Sequence, residues 1–199
     1  GVKKIFCSIR VYEGERYYHH LIDKITNLFV SKYSVVSENV GNAYSLSTGI
    51  KRDKIVFIPN TVDFDELSNL SFEPILRKEL NLNKESILIG SIGRLTNQKG
   101  YIYLLKAIEQ IKTNLELHLA IVGDGELKDE LINYSKNIRN NIKIHFLGFR
   151  KDSINCLYSF DIFILPSLWE GLPNTVVEAL SLKKCVIATN VGGSGEVVI

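Results

Sequence analysis

From residue 87 onward the chain repeats one alternation: a short apolar run rich in β-branched residues, then a stretch with apolar positions at helical spacing. The runs are ILIGSI (87–92), LHLAIV (117–122), IKIHF (142–146), IFIL (162–165) and CVIA (185–188). Their length and side-chain type predict buried strands. Between them, Tyr101, Leu104, Leu105, Ile108 and Ile111 recur at helix spacing, and Leu127, Leu131 and Tyr134 do so less regularly. DSINCLYSF opens on Asp152, an expected helix cap. Strands alternating with helices of this length predict an α/β fold, a Rossmann-like parallel sheet with helices on both faces.

The first part of the chain reads as a different unit. KKIFCSI and KYSVVS are expected strands with a helix over 16–30 between them, a helix should start at Glu38, and DKIVFIPN closes the segment. TVDFDELSNLSFEP is polar and turn-rich, the composition of a linker. The expected division is an incomplete N-terminal α/β segment over 1–60, a linker over 61–84 and the Rossmann-like domain over 85–199. Two or three strands do not make a buried parallel sheet alone, so most of the first domain should be missing. The chain opens on Gly1 and stops at GEVVI without a helix-ending signal, and is expected to be an excerpt.

Composition narrows the function classes. Apolar residues at 45% and charged residues at 23% are ordinary for a globular domain, and a net charge of +2 is too small to argue for nucleic acid or an anionic membrane surface, so no nucleic-acid partner is expected. Cys7, Cys156 and Cys185 form no CxxC pair, each has apolar neighbours, and all three are expected to be small buried hydrophobes. His19 and His20 are adjacent, and His118 and His145 fall in expected strands. None has a metal-ligand spacing, so no metal site is expected. No apolar run reaches the roughly 18 residues of a membrane span, and no signal-peptide pattern opens the sequence.

In open α/β sheets, ligands bind beyond the carboxyl ends of the strands. Each expected strand end here carries unusual residues: GRLTNQKG with Gly93, Arg94, Lys99 and Gly100, then GDGE, LGFRKD, PSLWEGLPN and TNVGGSGE. Glycines let a backbone approach a ligand, and helix N-termini present unpaired N–H groups to anions. Arg94 and Lys99 suit a diphosphate, whereas ionised carboxylates at the same rim suit hydroxyl groups. Together these features point to a nucleotide joined to a sugar. Separately each has a plainer reading. TVVE (175–178) also fits a capping box in which Glu178 serves its own helix, Pro173 and Asn174 fit a helix start, and GDG fits a turn. GxGxxG is absent, which weighs against a dinucleotide-binding redox domain.

SIGRLTNQKG, AIVGDGE, IHFLGF, ILPSLWEGLPNTVVEAL and ATNVGG occur in the order and spacing of retaining GT-B glycosyltransferases of the group 1 (family 4) type, and the resemblance covers essentially the whole chain. VVSENV and KIVFIPNTVD resemble the segment leading from that family's acceptor-binding domain into its donor-binding domain. The resemblance implies that Arg94 and Lys99 bind the donor diphosphate and that Glu170 hydrogen-bonds the donor sugar, these three being the catalytic set. It implies that backbone N–H groups of Gly171, Leu172, Asn174 and Thr175, around Pro173, face sugar and phosphates, and that Glu178 accepts from the ribose. The base would lie near Phe149 and Arg150, held largely by backbone, with Gly93, Gly123 and Asp124 lining the cleft.

By the same resemblance, the donor is a UDP-, GDP- or ADP-sugar, stereochemistry is retained and no metal or other cofactor is required. The acceptor would be a glycan or lipid-linked molecule held by the missing N-terminal domain. The full-length protein would act in bacterial surface polysaccharide assembly, in the cytoplasm or as a peripheral protein on the cytoplasmic face of the inner membrane. The sequence departs from the family at Thr61, where Gly is usual, at Lys184 and Cys185, where Gly-Pro is common, and in GGSGE. The family's glycine-rich loop and catalytic-site His of the first domain have no counterpart, and neither do its C-terminal helices, so the fragment is expected to bind donor but transfer sugar slowly or not at all. The rival readings are a nucleotide-sugar-binding module without transferase activity, and another GT-B enzyme such as a phosphorylase or sugar epimerase.

Overall fold

The structure, a computed structural model, describes residues 3–13, 17–62 and 71–198. The chain forms two compact units. One is Gly1–Thr61 with Trp169–Asn174 and Asn190–Ile199; the other is Val62–Leu168 with Thr175–Thr189. Thus the segment holding Glu170 groups with the first unit, although it follows the expected strand 162–165 of the second.

In the first unit, β1 (Phe6–Ile9), β2 (Lys32–Val35) and β3 (Ile55–Phe57) pair in that order, all parallel. Helix α1 (Tyr17–Thr26) connects β1 to β2, and α2 (Glu38–Thr48) leads towards β3. Ser37 caps α2, its hydroxyl accepting from the Val40 N–H at 3.2 Å, and Gly49 ends the helix in the left-handed region. Val30, Tyr33, Tyr44 and Ile50 form a small buried core, with Cys7, Ile9, Tyr12 and Ile55 packed on it.

In the second unit, α3 (Ile75–Glu79) precedes β4 (Ile87–Ile92), and α4 (Tyr101–Gln110), β5 (Leu117–Val122), α5 (Lys128–Ser135), β6 (Lys143–Gly148), α6 (Ser153–Ser159) and β7 (Ile162–Leu165) follow. Helix α7 (Asn174–Ser181) and β8 (Cys185–Ala188) complete the alternation. The strands are all parallel in the order β6-β5-β4-β7-β8. This is the Rossmann-like arrangement that the sequence pattern predicts. Every residue of β5 is buried, as a central strand covered on both faces requires. The chain runs outward from β4 to β6, then returns to lay β7 on the other side of β4. Open sheets bind ligands at such a reversal.

Several local expectations need correction. Asp152 precedes α6 but makes no side-chain cap, because its carboxylate is held by Arg150 instead. Helix α4 ends at Gln110, and Ile111 is already extended. Cys156 is buried, but Cys185 is exposed, since β8 is the edge of its sheet and its residues alternate outward. Within 61–84, Ile75–Glu79 is helical and Leu76 is fully buried, its N–H donating to the Ser159 hydroxyl at 3.1 Å. The DFD stretch (63–65) lies outside the described residues. Among those described, no helix is long and apolar enough to cross a membrane.

Candidate functional site

The carboxyl ends of β4 and β5 and the loop after β6 surround a cleft of about 270 Å³, lined by Ile92, Gly93, Arg94, Val122, Gly123, Asp124, Phe149, Arg150 and Ser153. Two glycines shape its floor. Gly123 has φ +141°, and a Cβ there would collide with the Gly93 carbonyl oxygen. The turns after β4 and β5 can therefore touch only if residue 123 has no side chain. The Gly93 N–H donates to the Val122 carbonyl at 3.0 Å and that of Gly123 to the Gly148 carbonyl at 2.8 Å, which ties the three strand ends together.

The charged side chains around this cleft differ in what they already hold. Asp124 accepts from the Gly125 N–H at 2.9 Å and from Lys128 Nζ at 2.8 Å, and Lys128 first among these holds its carboxyl below the usual carboxylate range. Arg150 is consumed by carboxylates. Its Nε and one terminal nitrogen donate to Asp152 at 2.8 Å each, and its two terminal nitrogens donate to Glu79 at 2.9 Å each. Its protonated form is stabilised by Asp152 and then Glu79. Phe149 is 73% exposed and supplies an open aromatic face.

Arg94 is exposed and its side chain makes no hydrogen bond or ion pair among the described residues, so its guanidinium is available to an anion. Lys99 ends the 3-10 turn Asn97–Lys99, and its stem passes beside Gly93: a Cβ on Gly93 would stand 3.6 Å from Lys99 Cδ and Cε. The turn thus brings Lys99 back to the same strand end as Arg94.

The Glu170–Asn174 segment, described within the first unit, is packed without slack. Glu170, Gly171, Leu172 and Pro173 are buried, Glu170 to 6% exposure. Gly171 admits no side chain, because a Cβ would strike the Arg10 carbonyl oxygen and stand 2.9 Å from Val36 Cγ2. Among the described residues, the N–H groups of Gly171, Leu172, Asn174 and Thr175 donate to no acceptor. A run of unpaired N–H groups opening a helix is a ready anion contact.

In α7, Thr175 is the second helical residue, not the cap, and Glu178 makes no hydrogen bond back to it. The capping-box reading of TVVE therefore does not describe this helix. The Glu178 carboxylate is half-buried and has no hydrogen bond or ion pair among the described residues, and burial pushes its pKa up. A carboxylate kept partly out of water with no protein partner is oriented for a ligand donor or carries an uncompensated cost.

Sequence reading left out Ile92, Val122 and Ser153 as lining residues. The first two are the last residues of β4 and β5, so their position at the strand ends was the available signal. Ser153 is the first residue of α6, one past the cap position Asp152, and nothing in the local sequence marks it as a lining residue. Among the described residues, no three His, Cys, Asp or Glu side chains are grouped to hold a metal ion.

The sequence profile for glycosyl transferases group 1 matches residues 72–199. An uncharacterized glycosyltransferase of Methanocaldococcus jannaschii is 41% identical over 143 residues, covering 70% of this chain and 34% of that protein. The UDP-Gal:alpha-D-GlcNAc-diphosphoundecaprenol alpha-1,3-galactosyltransferase of Escherichia coli is 36% identical over 146 residues, covering 71% of this chain and 38% of the relative. Among solved structures, Anabaena HepE in complex with UDP and glucose superposes with a TM-score of 0.83 at 25% identity, over 98% of this chain and 55% of HepE. The chain thus spans little more than a third of these curated relatives and about half of HepE. Its parallel sheets, the profile match and these relatives agree: the chain belongs to the group 1 glycosyl transferases.

Proposed function

We propose that this chain carries the donor-binding groups of a retaining hexosyltransferase that uses a nucleoside-diphosphate sugar. The observation that carries the reading is the unpaired Arg94 guanidinium at the mouth of the β4–β5 cleft, in a protein whose other cleft arginine is fully engaged by carboxylates. Arg94 and Lys99 bind the diphosphate. The N–H groups of Gly171, Leu172, Asn174 and Thr175 face phosphate and sugar, Glu170 accepts from the sugar hydroxyls and Glu178 from the ribose. Gly93, Gly123, Asp124, Phe149 and Arg150 surround the base, with the last contributing backbone. Negative charge builds on the departing nucleoside diphosphate, and cations and N–H dipoles already in place stabilise it without reorganising. Those two cations fill the role of a metal ion, so transfer proceeds without one.

The UDP in the HepE complex and the UDP-Gal and diphosphoundecaprenol in the E. coli relative's name support a UDP-sugar donor and a lipid-linked glycan acceptor. Relatives named for O-antigen and teichuronic acid biosynthesis support a place in surface polysaccharide assembly. That setting would bring the full-length protein to a membrane face. Calorimetric titration with UDP, GDP, ADP and their sugar conjugates, with and without Mg²⁺, tests the donor site. Metal-independent binding of one nucleotide, tighter with its sugar attached, is expected. The full-length protein, given that donor and a lipid-diphosphate glycan, should form a glycoside of retained anomeric configuration. Donor binding without product would leave a binding module in place of a transferase.

A further inference from the structure

We infer that Asn60 and Glu196 are positioning residues that hold the 171–174 turn in its donor-binding shape. This inference rests on the reading proposed above. Two successive carbonyls of the turn are gripped by different segments of the first unit. The Gly171 carbonyl accepts from the Gly193 N–H at 2.5 Å, and the Leu172 carbonyl accepts from Asn60 Nδ2 at 2.7 Å. In a trans peptide the C=O and the following N–H point in opposite directions. Fixing the Gly171 carbonyl therefore fixes where the unpaired Leu172 N–H points. Fixing the Leu172 carbonyl sets the plane of the peptide that leads into Pro173 and Asn174.

Both grips are themselves anchored. Asn60 follows β3, and its Oδ1 accepts from an Arg10 terminal nitrogen at 3.3 Å, so its amide is oriented from both sides. Gly193 lies in the loop that leads into α8 (Ser194–Val197). That loop is locked to the start of α2. The Glu196 carboxylate accepts the Glu38 N–H at 3.1 Å and the Asn39 N–H at 2.7 Å, and Asn39 Nδ2 donates to the Gly192 carbonyl at 3.0 Å. Ser37 serves the Val40 N–H, so Glu196 serves two further donors of the α2 N-terminus, where its charge also suits the helix dipole. None of these side chains carries a role in the donor site, and all of them converge on the backbone that does.

The test compares the wild-type chain with Asn60→Asp, Asn60→Ala, Glu196→Gln and Glu196→Ala by titration with UDP and UDP-glucose, each alongside a melting curve. Asn60→Asp keeps the size and the acceptor for Arg10 but removes the donor to Leu172. It should lose about tenfold in UDP-glucose affinity while its melting temperature falls no further than that of Asn60→Ala, because a misplaced contact group forfeits more than the bond removed. Glu196→Gln keeps one acceptor oxygen and should fall between wild type and Glu196→Ala. Wild-type binding with unchanged affinity in Asn60→Asp overturns the positioning role alone, as does a loss in every variant that only follows its melting temperature. A wild-type chain that binds neither probe overturns the donor-site reading, and this inference with it.

Discussion

Arg94 and Arg150 line one cleft, yet Arg150 is bound by the carboxylates of Glu79 and Asp152 while Arg94 meets none among the described residues. The two arginines are therefore not equivalent as ligand groups. Arg94→Ala removes an exposed cation whose side chain has no partner among the described residues. It should leave the melting temperature unchanged and weaken binding of nucleoside diphosphate and nucleotide sugar alike, by about 1.5–3 kcal/mol for a charge-assisted contact. Calorimetry with both ligands checks this. An equal affinity in the variant would remove Arg94 from the diphosphate site.

Arg150→Met should show the opposite pattern. Arg150 ties Glu79 at the end of α3 to Asp152 before α6, two points that its fork reaches at once. Both carboxylates are nearly half exposed, so water takes over part of their solvation once the arginine is gone. A loss of about 1–2 kcal/mol in stability is expected, with nucleotide affinity close to wild type. Urea unfolding and titration of the same preparation separate the two effects. A variant of normal stability and lost affinity would make the Arg150 side chain a ligand contact.

Glu178 offers a test in which stability and binding move in opposite directions. Burial raises its pKa, so the folded chain holds a proton there more tightly than the unfolded chain. The charged form therefore costs stability once the pH exceeds its folded pKa, and the cost disappears below the ordinary carboxylate value. Glu178→Gln should raise the melting temperature at pH 7, by no more than the about 2–4 °C that 1 kcal/mol produces at this size, and should have no effect near pH 4. The same variant should bind nucleotide more weakly, because an amide is a poorer acceptor for a ribose hydroxyl. A destabilised variant at pH 7 would show that Glu178 serves its own helix after all.

The strands of the second unit were legible because each is a short apolar run in a sheet buried on both faces, where periodicity and composition agree. Their ends were legible for the same reason: once the strands are placed, Gly93, Arg94, Gly123 and Phe149 must follow them. The partners of charged side chains were not. Nothing local in LGFRKD distinguishes Arg150, which two carboxylates claim, from Arg94 in GRLTNQKG, because Glu79 lies 71 residues away in sequence. The same holds for Asn60 and Glu196, whose partners Leu172 and Asn39 lie 112 and 157 residues distant. The resemblance to the glycosyltransferases supplied roles for the residues in the motifs and none for those that hold the motifs in place.

A pair of histidines on β5 and β6 gives the second unit a pH dependence of its own. His118 Nδ1 and His145 Nε2 stand 2.9 Å apart with the rings nearly parallel, so the bond between them needs one nitrogen to donate and the other to accept. His118 is buried; its other nitrogen lies 3.3 Å from Glu116, which also accepts from Asn83 and Lys143. Asn83 first, then His118 and Lys143, hold the Glu116 pKa at about 2, so it stays charged through mildly acidic pH. Burial, then His118, then Lys143 push the His145 pKa down. The unfolded chain therefore binds a proton that the folded chain refuses. The stability this group contributes is full above the ordinary imidazole value of about 6.5 and is lost as pH falls through the depressed one. The melting temperature should fall as the pH drops below about 6.5, and His145→Gln, which keeps a polar group but no titration, should flatten that slope. An equal slope in wild type and variant would place the acid sensitivity elsewhere.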